Sequence, residues 1–316
     1  MKLATLNDGS RDGQLVVVSR DLVTAHYATG IASHLQQVLQ DWNFLAPQLQ
    51  DLYDTLNHGK ARHAFPLDLH QCMAPLPRAY LLAVGDAFAR PAGHEVLPLR
   101  LAFADQLQGA CAPLSYAHAA QQPDFEASVA VITGDVPQGA NPAQALDGVR
   151  LLALVNQGVD RAWQAQPAWA LMAQPTTAFS PVAVTPDELV WGGESAWSQG
   201  RVNLTLQCHV NGRKLGLCEA GSDMTAHFGE LMAQLCLVRR LRAGSIVSAG
   251  EVRNLEASHG GCSVATRRTQ ELAQNGQGKT SWLAQGDTVR IDMLGRDGQS
   301  VFGAIDQDVQ IGPQAL

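Results

Sequence analysis

The chain has 316 residues, which suggests about two domains at roughly 150 residues each. Hydrophobic residues make up 46% of the sequence and charged residues 16%, a composition that supports a large buried core and excludes disorder, a collagen-like fibre and a disulfide-stapled miniprotein. The net charge of −7, with no basic tract, argues against a nucleic acid or an acidic membrane surface as partner.

The N-terminal part of the chain predicts a small α+β domain, residues 1–73. Residues 2–6 and 14–19 are short β-like runs around a segment rich in turn formers, which indicates a hairpin. Two helices are predicted from apolar residues that recur at spacings of three and four, namely Leu35, Val38, Leu39 and Trp42, then Leu49, Leu52 and Leu56. Gly59 supplies the stop after the second helix.

After a linker at Ala74–Arg78, the pattern changes to short β segments separated by Gly and Pro, and this predicts a second, mostly β domain at residues 79–316. The clearest predicted strands are Ser128–Thr133, Arg150–Val155, Val202–Val210, Thr288–Leu294 and Ser300–Ile305. The dipeptide Asn211-Gly212 predicts a hairpin turn after the third of these. The pattern is not a βαβ repeat.

One helix is predicted within this β-rich part. Phe228, Leu231, Leu235 and Val238 keep the helical spacing, Asp223 can cap the start, and Gly244 follows the end.

Two loop motifs look functional but are better explained by turns. Asn275–Thr280 ends like a phosphate-binding loop, yet Ala273 stands where that loop needs Gly, so a hairpin turn is the simpler interpretation. Gly260–Ser263 could expose Cys262 as a nucleophile, but no neighbouring base is identifiable, and a flexible loop with a bystander thiol is favoured.

The cysteines and the apolar runs bear on the cellular compartment. The six cysteines show neither Cys-x-x-Cys spacing nor a disulfide framework, and this predicts reduced thiols in a cytoplasmic protein. No apolar run reaches the 18 or so residues of a membrane span, and no signal peptide is recognisable at the start.

Segments spread over most of the chain resemble the fumarylacetoacetate hydrolase family. They are Met1–Val18, Asp124–Pro137, Phe179–Leu189, Gly286–Ile291 and Asp297–Val309, the last containing Phe302-Gly303-Ala304-Ile305-Asp306-Gln307. The resemblance implies an α+β, mostly β fold, in which a mixed β-roll follows a small N-terminal domain. It also implies a cytoplasmic homodimer that binds Mg²⁺ or Ca²⁺ and cleaves carbon–carbon bonds in oxo acids or β-diketones.

The carboxylates that this resemblance assigns to the metal are mostly replaced. In the family's Glu-x-Glu pair, the first position is Glu126 and the second is Ser128. An Asp expected in an Asn-Asp-Val-Ser-like run is Gln157, and the fourth acid has no counterpart in Gly109–Ala112. Because a hard divalent ion needs several oxygen ligands, preferably carboxylates, we expect no Mg²⁺ or Ca²⁺ bound in the family's manner.

Other functional positions also differ. A family lysine corresponds to Gln174, and a family threonine corresponds to Glu251. Glu126 is the candidate catalytic base, and Glu251, Arg253, Gln174 and His259 are the candidate substrate-binding residues. Arg267 and Arg268 are further candidates for binding an anion.

Three functions therefore stay open. The first is a non-catalytic member that binds a small oxo-acid-like molecule or a partner. The second is a repurposed, metal-independent enzyme that uses Glu126 as base. The third is a metal-dependent hydrolase of acylpyruvates or β-diketo acids that recruits relocated acids such as Asp124 or Glu95.

Overall fold

The computed structural model describes residues 1–88, 96–117, 120–170 and 172–312. The helices are α1 (Leu35–Gln40), α2 (Trp42–Asn57), α3 (Pro142–Leu146), α4 (Arg161–Gln164), α5 (Phe228–Cys236) and α6 (Val264–Asn275). The strands are β1 (Lys2–Leu6), β2 (Gln14–Val18), β3 (Thr24–Tyr27), β4 (Phe65–Pro66), β5 (Leu81–Gly85), β6 (Leu99–Ala102), β7 (Leu114–Tyr116), β8 (Pro123–Thr133), β9 (Val149–Asp160), β10 (Thr176–Phe179), β11 (Val182–Val184), β12 (Val190–Trp191), β13 (Glu194–Ser195), β14 (Trp197–Ser198), β15 (Arg201–Val202), β16 (Thr205–Val210), β17 (Arg213–Glu219), β18 (Ser245–Ser248), β19 (Thr288–Met293) and β20 (Ile305–Ile311). Strands outweigh helices, which confirms the predicted α+β, mostly β fold class.

The main sheet runs in the order β4-β3-β2-β1-β11-β9-β8-β18-β5-β6, with β10 also paired to β9. Its centre is the long antiparallel pair β8 and β9. Every residue of β8 is buried, with Val129 and Val131 facing one apolar cluster and Ala130 and Ile132 facing the other. A strand covered on both faces has a continuous apolar sequence, which is why this run stands out.

A second sheet, ordered β17-β16-β19-β20-β7, carries the predicted hairpin. Asn211 and Gly212 connect β16 to β17 with φ angles of 52° and 70°. Positive φ at both central positions matches the right-handed twist of the flanking strands, so this prediction is confirmed.

The N-terminal elements form as predicted and also join the main sheet. The hairpin of β1 and β2 and the helices α1 and α2 are confirmed, and Gly59 follows α2 with a φ of 67°. On its other edge β1 pairs with β11, so Lys2 lies opposite Val184. The sheet is thus continuous from the predicted N-terminal domain into the β-rich part.

Three details of the predicted elements are wrong. His227 caps α5, reciprocally with Glu230, whereas the Asp223 carboxylate accepts from Asn254 and from the backbone of Leu255. The helix ends at Cys236, which leaves Val238 exposed beyond it. The last strand begins at Ile305 rather than at residue 300, because 295–303 forms turns around positive-φ glycines.

The helix α6 was missed from sequence because only Val264 and Glu271 are buried in it, so no apolar stripe repeats at the helical spacing. Gly276 ends α6 in the left-handed conformation, so Asn275–Thr280 is a helix terminus and not a hairpin turn. Cys262 is fully buried rather than in a flexible loop, and burial raises the pKa of its thiol. No helix in the described part of the chain is long and apolar enough to cross a membrane.

The packing of β9 predicts a large stability contribution from its apolar side chains. We expect Leu152→Ala, at a fully buried position, to lower the free energy of unfolding by about 2–5 kcal/mol, because it leaves a cavity. Leu237→Ala, at a position that is 70% exposed, is the matched control and should change it by less than about 0.5 kcal/mol. Urea denaturation of both variants checks the difference, and equal effects would contradict the strand's central placement.

Candidate functional site

A buried guanidinium lies where the ends of the central strands meet. Arg161 is the first residue of α4, directly after β9, and its side chain reaches back across β8. Its Nε donates to Asp124 Oδ2 at 2.8 Å and its Nη1 to Glu126 Oε1 at 2.6 Å. Asp124 and Glu126 are two residues apart on one strand, so they share a face of the sheet. This spacing lets one side chain bind both acids.

A third carboxylate approaches the same guanidinium from a different element. Glu251, in the turn after β18, places Oε2 at 3.9 Å from Arg161 Nη2. Thr266 on α6 donates to its other oxygen at 2.6 Å. Burial, together with the neighbouring charge of Glu126, raises the pKa of Glu251 to about 7, and Arg161 opposes that rise. Glu251 therefore titrates near neutral pH.

Asp124 serves a structural purpose. Its carboxylate is fully buried and accepts from the backbone N–H groups of Val264 and Ala265, at 2.7 and 3.0 Å, where α6 begins. A negative charge at a helix N-terminus is favourable. Burial still raises the pKa of Asp124, and the Arg161 charge opposes this. With Arg161 and the start of α6 as partners, Asp124 is poorly placed to serve as a relocated metal ligand.

A second arginine binds the side chains at two of the positions that the family resemblance singled out. Arg100, on β6, donates from Nη2 to Gln157 Oε1 at 3.1 Å and from Nη1 to Gln174 Oε1. The same Nη2 lies 3.7 Å from Glu126 Oε2. Gln157 and Gln174 are the positions where the family resemblance expects an aspartate and a lysine. In this chain both amides instead orient one guanidinium.

These groups surround a cavity of about 220 Å³, here called the arginine pocket. A third guanidinium, Arg253, pairs with Asp86 at its rim. The pocket is lined by Val84, Gly85, Asp86, Arg100, Glu126, Arg161, Gln164, Gly250, Glu251 and Arg253. Its lining therefore contains three guanidinium groups and three carboxyl groups.

Several buried donors around the arginine pocket have no acceptor among the described residues. They are Arg161 Nη2, Arg253 Nε and Gln157 Nε2. An unsatisfied buried N–H costs free energy comparable to a lost hydrogen bond, and more when the group is charged. Donors of this kind at one cavity favour an anionic or carbonyl-bearing ligand over a cation.

The residues present do not fit the divalent ion that the family resemblance implies. Glu126 is bound by Arg161, the Ser128 hydroxyl lies 2.9 Å from Ser248 Oγ, and the Gln157 carbonyl accepts from Arg100. A divalent cation would also face the positive charge of two guanidinium groups. In the part of the chain that the structure describes, no group of three His, Cys, Asp or Glu side chains could hold a metal. Glu95 lies outside the described residues.

The structure separates the predicted site residues into two sets. Glu126, Glu251 and Arg253 line the arginine pocket, and Gln157 and Gln174 support it through Arg100. His259, Arg267 and Arg268 are not in its lining. His259 lies beside the Leu217 carbonyl, Arg267 pairs with Glu271, and Arg268 packs over the Trp282 ring.

Sequence reasoning missed Asp86, Arg100 and Arg161. For Arg161 there was a signal, because the charged pair Asp160-Arg161 follows shortly after the predicted strand Arg150–Val155 and the position of Gln157. A charged residue at the end of a buried strand is a candidate for a site at that edge. For Asp86 and Arg100 the sequence offered no comparable signal.

Comparison with known proteins adds the family context. The model "Fumarylacetoacetase N-terminal domain 2" matches residues 1–78, and "Fumarylacetoacetate (FAA) hydrolase C-terminal" matches residues 81–310. No curated protein matches the chain.

Solved structures share the fold at low sequence identity. Maleylpyruvate hydrolase from Sphingobium sp. SYK-6, in complex with manganese (II) ion and pyruvate, is 17% identical with a TM-score of 0.67 and covers 99% of this chain and 100% of that one. A putative HpcE protein from Mycobacterium smegmatis is 16% identical with a TM-score of 0.69, covering 98% and 100%. A fumarylacetoacetate hydrolase from Exiguobacterium antarcticum is 16% identical with a TM-score of 0.67, covering 98% and 99%.

The ion-pair cluster predicts a strong dependence of stability on Arg161. We expect Arg161→Ala to lower the free energy of unfolding by about 3–5 kcal/mol, because it leaves Asp124 and Glu126 buried without their cation. The matched control is Arg78→Ala, whose ion pair with Asp12 is half exposed and should contribute about 0–1 kcal/mol. Chemical denaturation compares the two, and a loss at Arg161 no larger than at Arg78 would contradict the cluster.

The raised pKa of Glu251 predicts a pH dependence of stability. Between its ordinary value of 4.5 and about 7, the folded state binds more protons at this site than the unfolded state does. Its contribution to stability is therefore complete below pH 4.5 and is lost as the pH rises through about 7.

Glu251→Gln should remove this loss of stability. Between pH 4.5 and about 7, the melting temperature of the variant should therefore fall less, or rise more, than that of the wild type. Glu256→Gln, at an exposed surface carboxylate, is the control. Parallel curves for the wild type and Glu251→Gln would refute the assignment.

Proposed function

Because this chain belongs to the fumarylacetoacetate hydrolase family, we propose that it is a ligand-binding, non-catalytic member that holds a small oxo-acid anion without a divalent cation. The observation that carries the proposal is the convergence of three guanidinium groups on one cavity, two of which, Arg161 and Arg253, keep a donor without an acceptor among the described residues. A carboxylate or an oxo group is a chemically matched acceptor for both.

The charge balance of the arginine pocket supports an anionic ligand. Arg100, Arg161 and Arg253 keep their charge at any physiological pH, since free guanidinium has a pKa above 12. Of the three lining acids, Glu251 has a pKa of about 7, so near neutral pH it is only partly ionised. Asp124, which pairs with Arg161 from outside the lining, brings the described groups close to neutral when Glu251 is protonated. A protonated Glu251 can itself donate a hydrogen bond, so its protonation favours an anionic ligand.

A second candidate function is a metal-independent enzyme, and the specific observation that favours it is again Glu251. A general acid or base works best when its pKa lies near the operating pH. Glu126, the base predicted from sequence, accepts a 2.6 Å hydrogen bond from Arg161, so one of its carboxylate oxygens is already occupied. In this alternative Glu251 transfers the proton and Glu126 positions Arg161.

Metal-dependent cleavage of acylpyruvates and the homodimer expected from the family resemblance stay predictions. The maleylpyruvate hydrolase structure that shares this fold was solved in complex with manganese (II) ion and pyruvate. That likeness supports pyruvate as a probe for this chain, whereas the arrangement around Glu126 argues against a similar ion here.

We expect pyruvate to bind the wild-type protein in the presence of EDTA, as measured by isothermal titration calorimetry. Arg253→Ala should weaken this binding by roughly 10- to 100-fold, because a charge-assisted hydrogen bond is worth about 1.5–3 kcal/mol. The matched control, Arg78→Ala, should bind pyruvate as the wild type does, since Arg78 pairs with Asp12 outside the lining of the arginine pocket.

Three outcomes would overturn the proposal. Micromolar Mg²⁺ affinity, with pyruvate binding only when Mg²⁺ is present, would restore the metal-dependent hydrolase. Turnover of an oxo acid in EDTA, abolished by Glu251→Gln, would establish the metal-independent enzyme. Turnover that is lost with Glu126→Gln but kept with Glu251→Gln would return the base assignment to Glu126.

A further inference from the structure

A second cavity lies at the end of β8 and β9 that is opposite to the arginine pocket. It measures about 360 Å³ and lies where the junction of α1 with α2 meets the end of β8 and the start of β9. Residues 39–44, Gly134, Asp135 and Arg150 line it, and none of them lines the arginine pocket. We call it the junction cavity.

Arg150 reaches the junction cavity through an irregularity in the central strand pair. Leu151 and Val149 of β9 pair with consecutive residues of β8, so Arg150 between them is an extra residue and forms a β-bulge. A bulge directs a side chain away from the regular alternation of the strand. The guanidinium then lies over Gly134, where a Cβ would come within 3.0 Å of Arg150 Nε. A residue without a side chain is therefore needed beneath this arginine.

The hydrogen bonds of Arg150 leave part of its guanidinium unused. Nη1 donates to the backbone carbonyls of Asp147 and Val149, at 2.7 and 3.4 Å. The buried Nε has no acceptor in the described part of the chain. Burial lowers the pKa of Arg150, and the charge of Asp147 opposes this. A carboxylate in the junction cavity is a chemically matched partner for this guanidinium.

Two acids line the same cavity. Asp41 precedes α2, is exposed, and caps none of the helix N–H groups with its side chain. Asp135 accepts from the Ala243 N–H at 3.1 Å through Oδ1. Each acid is the chain neighbour of a residue that packs against the guanidinium, Trp42 beside Asp41 and Gly134 beside Asp135. The junction cavity therefore presents one cation and two anions close together.

The cavity also has apolar walls. Leu39 is buried, and the Trp42 ring is half-buried with its centroid 5.8 Å from the Arg150 guanidinium. Phe44 is 74% exposed, so aromatic surface faces solvent at this cavity. Covering such surface with a hydrocarbon group is favourable, and the cavity has the size of a small-molecule site.

We propose that the junction cavity binds a zwitterionic α-amino acid with an apolar side chain. Arg150 pairs with the carboxylate of the ligand, and Asp41 and Asp135 receive its ammonium group. The side chain of the ligand packs against Trp42 and Phe44. An anion without an ammonium group would face the two acids, and a cation without a carboxylate would face the guanidinium. This site is separate from the arginine pocket and does not depend on the function proposed for that pocket.

Calorimetric titration with L-phenylalanine and two analogues that each lack one charge tests the proposal. Phenethylamine keeps the ring and the ammonium group, and 3-phenylpropanoate keeps the ring and the carboxylate. L-phenylalanine should bind, and each analogue should bind roughly 10- to 100-fold more weakly, because a charge-assisted hydrogen bond is lost. Failure of both L-phenylalanine and L-leucine to bind would overturn the proposal, and so would an analogue that binds as tightly as L-phenylalanine.

Variants of the cavity lining test which groups hold the ligand. Arg150→Gln should weaken L-phenylalanine roughly 10- to 100-fold but should not weaken phenethylamine, which has no carboxylate. Asp41→Asn should weaken L-phenylalanine about threefold or more, as expected for a partly exposed ion pair, and should not weaken 3-phenylpropanoate. Asp51→Asn, at an exposed acid of α2 outside the cavity lining, is the matched control and should bind as the wild type does. Thermal melting confirms that each variant is folded.

A variant of the arginine pocket separates the two cavities. Arg253→Ala should leave the affinity for L-phenylalanine unchanged, since Arg253 lines the other cavity. If Arg253→Ala weakens L-phenylalanine whereas Arg150→Gln and Asp41→Asn do not, the amino acid binds in the arginine pocket, and the assignment of the junction cavity is wrong.

Discussion

The guanidinium of Arg161 lies among three carboxyl groups at the ends of the central strands, in a place with little solvent. Without a cation at this point, Asp124 and Glu126 would repel each other, and Asp124 would be left with backbone N–H donors and Glu126 with Arg100 at 3.7 Å. Asp124 also orients the start of α6, which carries the threonine that donates to Glu251. One side chain thus links β8, β9, α6 and the turn after β18, and the shape of the arginine pocket follows from that linkage.

A protein-borne cation differs from a bound ion in what it offers a ligand. A divalent ion accepts lone pairs from several oxygens at once, whereas a guanidinium presents N–H donors in a fixed plane. We therefore expect the arginine pocket to favour ligands by the geometry of their acceptors, since the amides of Gln157 and Gln174 hold Arg100 at one wall.

Much of this arrangement was accessible from the sequence, because the family resemblance fixed which positions to inspect. Glu126, Glu251 and Arg253 were named and line one pocket. Arg161 was missed because a four-residue helix has no apolar periodicity to mark it, and its partners come from distant parts of the chain. His259 was named from its proximity in sequence to Glu251, yet a short 3₁₀ turn directs it toward β17 instead. Strands with a strict apolar run or a strong turn, such as β8 and β16, were predicted well, whereas α6 depended on tertiary contacts.

The pairing of β1 with β11 has a consequence for how the molecule assembles. The two strands are separated by more than 170 residues of chain, and closing so long a loop costs conformational entropy. Until β1 arrives, β11 presents one open row of backbone N–H and C=O groups, which is a template for association with another chain. A fragment beginning at β5 would keep that edge permanently uncovered and so be prone to aggregation, even though it contains every residue of the arginine pocket.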